Sequence, residues 1–180
     1  MILILFAACG RQTLRGWGDG MFSITLICMG KLKEKFYIQA SEEYKKRLGA
    51  FCDFTLLELP EVRLPETPNE TQILQGLSKE AELIRAKVPK GSWLCIFAPE
   101  GKLLSSEELA GKLSELKKCG KSSVCFLIGS SFGVDAGLKK QADFLLSMSR
   151  MTFPHHLARV MALEQLYRAE SILAGTKYHK

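Results

Sequence analysis

Short hydrophobic runs alternate with stretches in which hydrophobic residues recur at helical spacing, from Met21 to the end of the chain. A short apolar run bounded by turn residues is typical of a buried strand, whereas a spacing of 3.6 residues indicates a helix. This pattern predicts strands at residues 22–30, 51–59, 92–98, 123–128 and 142–148. It predicts helices at residues 33–48, 70–88 and about 105–118, then a short helix before the last strand and a long one after it.

Strands that alternate with helices predict an α/β fold, with a mainly parallel sheet and helices on both faces. Such sheets bind ligands at the carboxyl ends of their strands, where loops and helix N-termini converge. A functional site is therefore expected among residues 97–102, 129–133 and 148–155.

Three loop segments lead to different structural predictions. Residues 60–68 contain three prolines and are interpreted as a connector, although the loop is long enough to serve a site. A turn is predicted at residues 99–102, and Ser105 with Glu108 has capping-box spacing for the helix that follows. In the loop GSSFG (129–133), glycines allow a close backbone approach, and backbone amides can hold a polar ligand. A turn alone explains the same residues, since the spacing matches neither phosphate-binding fingerprint.

Composition places the chain among ordinary globular proteins. It has 180 residues, which fits one domain, and 47% of them are hydrophobic. The net charge of +6 favours an anionic partner such as nucleic acid, although a merely basic protein has the same charge.

Cysteine and histidine usage argues against a metal site. The six cysteines form no CxxC pair, and with three histidines they show no zinc-ligand spacing. The chain is therefore interpreted as a reduced, cytoplasmic protein without a metal.

Residues 1–20 are interpreted as an N-terminal appendage, and residues 21–180 as the domain. The opening apolar segment lacks the basic residues that begin a signal peptide. It is also too short to span a bilayer, which takes about 20 residues, so no membrane association is expected.

The predicted last helix is apolar around its whole circumference, yet it contains Arg159, Glu164 and Arg168. Two interpretations remain open. The helix can be a core element whose charges pair locally, since Glu164 and Arg168 are four residues apart. Alternatively, it packs between its own sheet and a second subunit, with Arg159 and His155 directed into a site.

The segments FLIGSSFG, MSRMTFPHHLARVMALEQLYRA and the terminal YHK together resemble the ribosomal RNA large subunit methyltransferase H family, a minimal branch of the SPOUT superfamily. The segments MFSITLICMGKLKEKFYIQASEEYKKRL and GKLLSSEELA are also similar, so the resemblance covers Met21 to Lys180. It implies a deep trefoil knot near the carboxyl end and a homodimer with cofactor sites near the subunit interface. It further implies methyl transfer from S-adenosylmethionine to N3 of a pseudouridine in 23S rRNA of the ribosome.

The resemblance also assigns site residues. The cofactor contacts that it implies are Phe97, Gly129, Met148, Ser149, Arg150, Met151, Thr152 and Phe153. The candidates for the catalytic and RNA side are His155, Arg159, Tyr178 and His179. The chain departs from the family at Ser130, where a glycine is usual, and at Phe97, where leucine is common.

Two other functions remain open at this stage. One is an RNA- or ribosome-binding α/β module without catalysis, for which Ser130 is the supporting feature. The other is a nucleotide-binding enzyme of ordinary doubly wound fold, which the missing phosphate fingerprint disfavours.

Overall fold

The computed structural model describes residues 21–178, which form five strands and five helices in alternation. The strands are β1 (Ser23–Met29), β2 (Asp53–Leu59), β3 (Trp93–Leu103), β4 (Ser123–Ile128) and β5 (Phe144–Ser147). The helices are α1 (Lys35–Leu48), α2 (Glu70–Arg85), α3 (Ser106–Lys118), α4 (Ala136–Gln141) and α5 (His155–Leu173). The predicted appendage at residues 1–20 lies outside the described residues.

The strands form one sheet in the order β2-β1-β4-β3-β5, and every neighbouring pair is parallel. The prediction of an α/β fold with a parallel sheet is therefore confirmed. Because all the strands run in the same direction, their carboxyl ends lie along one edge of the sheet, and the loops that follow them converge there.

Both faces of the sheet are covered, as predicted. Successive side chains of a strand point to opposite faces, so β1 contributes Ile24, Leu26 and Cys28 to one core and Ile27 and Met29 to the other. The first core includes residues of α1, α3 and α5, and the second includes residues of α2 and α4. The final helix thus packs on one face, between α1 and α3.

The turn predicted at residues 99–102 is wrong, because β3 continues to Leu103. Phe97 and Lys102 both pair with Leu146, so the strand resumes its pairing with β5 after an irregularity. Gly101 makes this possible: a Cβ atom there would lie 2.6 Å from the carbonyl carbon of Leu146. Without a side chain, the backbone can lie directly against β5.

Capping at α3 is confirmed. The Ser105 side chain accepts a hydrogen bond from the Glu108 amide, and the Glu108 carboxylate accepts one from the Ser105 amide. Asn69 and Gln72 form a second capping box at the start of α2. These caps satisfy backbone donors that the first turn of a helix otherwise leaves unpaired. None of the helices in residues 21–178 is long and apolar enough to cross a membrane.

Candidate active site

A cavity of about 340 Å³ lies at the carboxyl edge of the sheet, where β4 and β5 end, α5 begins, and residues 97–99 of β3 pass. Its volume is in the range of sites for small molecules and cofactors. Seven of the eight residues predicted as cofactor contacts line this cavity: Phe97, Gly129, Met148, Ser149, Met151, Thr152 and Phe153. The eighth, Arg150, is exposed beside them and is not part of the lining.

Backbone forms one wall of the cavity, in the loop after β4. A Cβ atom at Gly129 would lie 2.3 Å from the carbonyl oxygen of Gly133, so no side chain fits there. The Gly133 amide donates to the Ser130 carbonyl at 2.9 Å, and Gly133 has a φ of +96°. The loop is therefore a tight turn that also forms a wall of the cavity, and the holding of a polar ligand by its amides stays a prediction.

Another wall is the segment between β5 and α5. The Ser147 hydroxyl donates to the Ser149 carbonyl at 2.9 Å, and the Met151 amide donates to the Ser149 hydroxyl at 3.0 Å. These local bonds fix a segment that has no regular secondary structure. Phe97 also lines the cavity and packs against Phe126, with ring centroids 5.9 Å apart. The core therefore accommodates this side chain, which is larger than the leucine that the resemblance implies at the same position.

His155 lines the cavity at the start of α5, and its Nε2 atom lies 3.6 Å from Glu61 Oε1. Burial lowers the pKa of His155, and the charge of His156, whose ring centroid lies 4.0 Å from that of His155, lowers this pKa further. Glu61 acts in the opposite direction and raises that pKa. The net shift favours the neutral imidazole, the form that can accept a proton.

Arg159 is buried, with 1% of its side chain exposed, and it does not line the cavity. Its Nη1 atom donates to the Glu58 carboxylate, and its Nη2 atom donates to the Gly30 carbonyl at 2.7 Å. Glu58 and Gly30 lie at the carboxyl ends of β2 and β1. Sequence reasoning directed Arg159 into a site, whereas in the structure its guanidinium ties α5 to these two strand ends.

Tyr178 is docked on α5, and it does not line the cavity. Its hydroxyl donates to Glu164 Oε1 at 3.2 Å, and the Arg168 guanidinium lies 4.8 Å from the ring centroid. Arg168 itself donates to Glu164 at 2.6 and 2.9 Å, which confirms the predicted local ion pair. His179 lies outside the described residues.

Sequence reasoning missed two carboxyl groups beside the cavity, Glu61 and Glu80. Glu80 is 5% exposed and accepts hydrogen bonds from the Val62 amide at 2.9 Å and the Ser130 hydroxyl at 2.8 Å. A signal for Glu80 was present, because it lies four residues before Ile84 on the apolar face of α2. Glu61 has no such signal, since it lies in an irregular loop.

Metal ligands are not clustered in the described chain. Within residues 21–178, no group of three or more His, Cys, Asp or Glu side chains is arranged to hold a metal ion. Cys28, Cys52, Cys95 and Cys125 are buried individually, and Cys119 is exposed.

These features define an α/β protein with a cavity of cofactor size, walled in part by backbone, at the carboxyl edge of a parallel sheet. Residues 22–179 match the family described as "Predicted SPOUT methyltransferase". A protein of Bifidobacterium adolescentis named Ribosomal RNA large subunit methyltransferase H is 45% identical over 87% of this chain and 99% of its own length. The Listeria monocytogenes protein of the same name is 40% identical over 88% of this chain and 99% of its own length. The chain therefore belongs to the ribosomal RNA large subunit methyltransferase H family, within the SPOUT methyltransferases.

Solved structures support the fold. A tRNA (m1G37) methyltransferase from Aquifex aeolicus matches 88% of this chain and 73% of its own, with a TM-score of 0.53 and 14% identity. A probable methyltransferase from Bordetella pertussis matches 83% of this chain and 97% of its own, with a TM-score of 0.51 and 16% identity. SPOUT methyltransferases use S-adenosylmethionine as the methyl donor.

Proposed function

We propose that this protein transfers a methyl group from S-adenosylmethionine to N3 of a pseudouridine in 23S rRNA of the large ribosomal subunit, in the cytoplasm. The relatives' names supply the class of substrate. The observation that carries the proposal is the cavity at the carboxyl edge, which combines a backbone-lined wall with His155 beside it. The net charge of +6 is consistent with contacts to RNA phosphates.

The residues of the cavity fit S-adenosylmethionine. Gly129 leaves room for backbone alone at the wall, so a ligand can approach amide and carbonyl groups closely. Phe97, Met148 and Phe153 supply apolar surface for an adenine ring. Ser149, Arg150, Met151 and Thr152 complete the cofactor side in this proposal. When bound, the cofactor supplies an electrophilic methyl group.

On the RNA side, His155 accepts the proton that N3 loses. This role suits an imidazole whose lowered pKa keeps it neutral near pH 7. Glu61 then stabilises the protonated ring across 3.6 Å. Most of the remaining acceleration comes from holding the base in line with the methyl group.

Arg159 positions this site through its two hydrogen-bonded contacts with the strand ends, which fix the first turns of α5 and with them His155.

Tyr178 and His179 complete the RNA side. Tyr178 contacts Glu164, which lies nine residues after His155, or roughly 13 Å along the helix. The tail of one protomer is therefore better placed to serve the cavity of a second protomer than its own.

A homodimer is consistent with the character of α5. None of its residues from His155 to Leu173 is fully exposed, and the partly buried Leu157, Val160 and Met161 remain available for a partner. A mixed dimer tests the arrangement. Combining a His155→Ala protomer with a Tyr178→Ala protomer leaves one intact composite site if tails serve the opposite cavity. If each tail served its own cavity, the mixed dimer would be inactive.

We also propose that the carboxyl-terminal part forms a deep trefoil knot. The backbone of β3 at Gly101 lies directly against β5, and the pairing of the two strands resumes at Lys102 after an irregularity, which is compatible with this topology. The family resemblance suggests the same topology. The backbone of an unknotted chain becomes a straight line when its two ends are drawn apart. An experimental structure with such an unknotted backbone would contradict this proposal.

The decisive experiment is transfer of a labelled methyl group to ribosomes that lack this modification, with assembled ribosomes compared to free large subunits. Label in large-subunit rRNA supports the activity, and mapping to N3 of a pseudouridine supports the position. Label absent from rRNA, with a folded protein, refutes the proposal. A folded protein that binds rRNA but not S-adenosylmethionine would be the non-catalytic binding module instead.

A further inference from the structure

A buried carboxyl group links the two sides of the proposed site. Glu80 of α2 accepts the Val62 amide with one oxygen and the Ser130 hydroxyl with the other, at 2.9 and 2.8 Å. Val62 belongs to the loop after β2, and Ser130 belongs to the loop after β4. These loops are brought together by a single side chain that is 5% exposed.

The β2–α2 loop is held on α2 at two points, one helical turn apart. At Gly76, a Cβ atom would lie 3.1 Å from Leu64 Cδ2, so this side chain packs closely on the helix. At Glu80, the carboxyl group holds the Val62 amide. Glu61 precedes Val62 directly, and its carboxylate faces His155 at 3.6 Å. Fixing Val62 therefore limits where Glu61 can lie.

On the other side, Ser130 is part of the cavity wall. Its hydroxyl donates to Glu80 and its carbonyl accepts from the Gly133 amide, so the hydroxyl and the carbonyl are both occupied. The Ser130 hydroxyl thus gives Glu80 a hydrogen-bond donor in the cavity wall. A buried carboxyl group without such donors would be costly.

We propose that Glu80 is a positioning residue that couples the cofactor cavity to the His155–Glu61 pair. Through Ser130 it sets the wall against which the cofactor lies, and through Val62 it sets the carboxylate that faces the proton acceptor. This inference rests on the proposed methyl transfer.

A purely structural anchor predicts a different result from a positioning residue. An anchor changes stability and leaves the folded protein's site intact. Positioning changes two site properties at once, the affinity for S-adenosylmethionine and the pH dependence of turnover. The pH dependence reports on His155, whose charged neighbours are His156 and Arg159 on α5, Glu61 in the loop and Glu34 before α1.

The experiment uses four variants of the full chain: Glu80→Ala, Glu80→Gln, Ser130→Ala and Glu82→Ala. Glu80→Ala removes both bonds, whereas the glutamine amide can accept from Val62 and donate to Ser130. Ser130→Ala removes only the bond at the cavity wall. Glu82→Ala is the matched control, since Glu82 is an exposed residue of the same helix. Calorimetry gives the Kd for S-adenosylmethionine, and methyl transfer to ribosomes gives the pH profile.

For Glu80→Ala we expect the Kd to rise about fivefold to tenfold, the equivalent of roughly one hydrogen bond. We also expect the acidic limb of the kcat profile to move to lower pH, because a displaced Glu61 no longer raises the pKa of His155. Ser130→Ala should raise the Kd and leave the profile in place. Glu80→Gln should retain both properties, and Glu82→Ala should match the wild type.

A folded Glu80→Ala protein with wild-type Kd and pH profile overturns the inference. If Glu80→Ala does not fold, Glu80→Asp replaces it, because a side chain shorter by one methylene cannot reach both partners. Wild-type values for folded Glu80→Asp overturn the inference equally. Failure of the wild type to bind the cofactor or methylate rRNA refutes the proposed function instead, so the two failures are distinguishable.

Discussion

The Nε2 atom of His155 lies 3.6 Å from Glu61 Oε1, and this pair joins the start of α5 to the loop that follows β2. The Glu61 oxygen is buried and accepts no hydrogen bond within the described structure. It is therefore available to a protonated imidazole. A neutral histidine with a carboxylate nearby is an arrangement suited to accepting one proton and stabilising the resulting charge.

We predict that Glu61→Gln lowers the pKa of His155 below its wild-type value. Burial and His156 already lower it, and the substitution removes the negative charge that opposes them. Titration of the imidazole Cε1–H resonance by NMR measures the change. Glu66→Gln, an exposed position in the same loop, is the control and should leave the titration as it is. A pKa that rises or stays constant in Glu61→Gln would exclude the electrostatic pairing.

The sequence could place His155 beside the cavity but could not supply its partner. His155 follows a strand at the carboxyl edge, and helix periodicity put it on the same side of α5 as Arg159. The partners of these side chains come from distant segments, Glu61 for one and Glu58 with Gly30 for the other. Pairing between distant segments depends on the order of strands in the sheet, which periodicity does not encode.

We predict that Gly129→Ala abolishes binding of S-adenosylmethionine. The added methyl group would lie 2.3 Å from the Gly133 carbonyl oxygen and 2.5 Å from Val134 Cγ2, so the cavity wall must shift. Gly111→Ala is the matched control, because Gly111 lies in α3 with no atom within 4 Å of the new Cβ. The control should bind normally and gain about 0.5–1 kcal/mol of stability from helix propensity. Unimpaired calorimetric binding by Gly129→Ala would disprove a close approach of ligand to this wall.

In the fold too, features that depend on neighbouring residues were predicted from the sequence, whereas contacts between distant segments were not. Strand and helix positions follow from apolar spacing, and β4 lies at residues 123–128 as predicted. The error at residues 99–102 arose because proline and glycine are typical turn residues. Here Gly101 serves a close contact with β5, and Lys102 resumes pairing with Leu146. Only the tertiary contact distinguishes a glycine that turns the chain from one that lets two strands approach.

We predict that Cys119 is the reactive thiol among the described residues. It is exposed, whereas burial raises the pKa of the Cys28, Cys52 and Cys125 thiols to about 12 and raises that of Cys95 as well. A protonated buried thiol reacts slowly. Titration with a disulfide reagent, in a Cys9→Ser background, should show one fast thiol per chain and four more after unfolding. Two or more fast thiols in the native protein would contradict the burial of these four cysteines.

We predict that Arg159→Ala lowers the free energy of unfolding by about 3 kcal/mol, because it removes a buried guanidinium that holds two strand ends. Arg159→Lys should be intermediate, since an ammonium group cannot reproduce the two-point contact with Glu58 and Gly30. Arg168→Ala is the control, because its partner Glu164 lies one turn away on the same helix, and its loss should cost under about 1 kcal/mol. Urea unfolding monitored by circular dichroism measures all three. Equal losses for Arg159→Ala and Arg168→Ala would show that Arg159 does not tie α5 to the sheet. Full stability with lost turnover would instead return Arg159 to a direct role with the RNA.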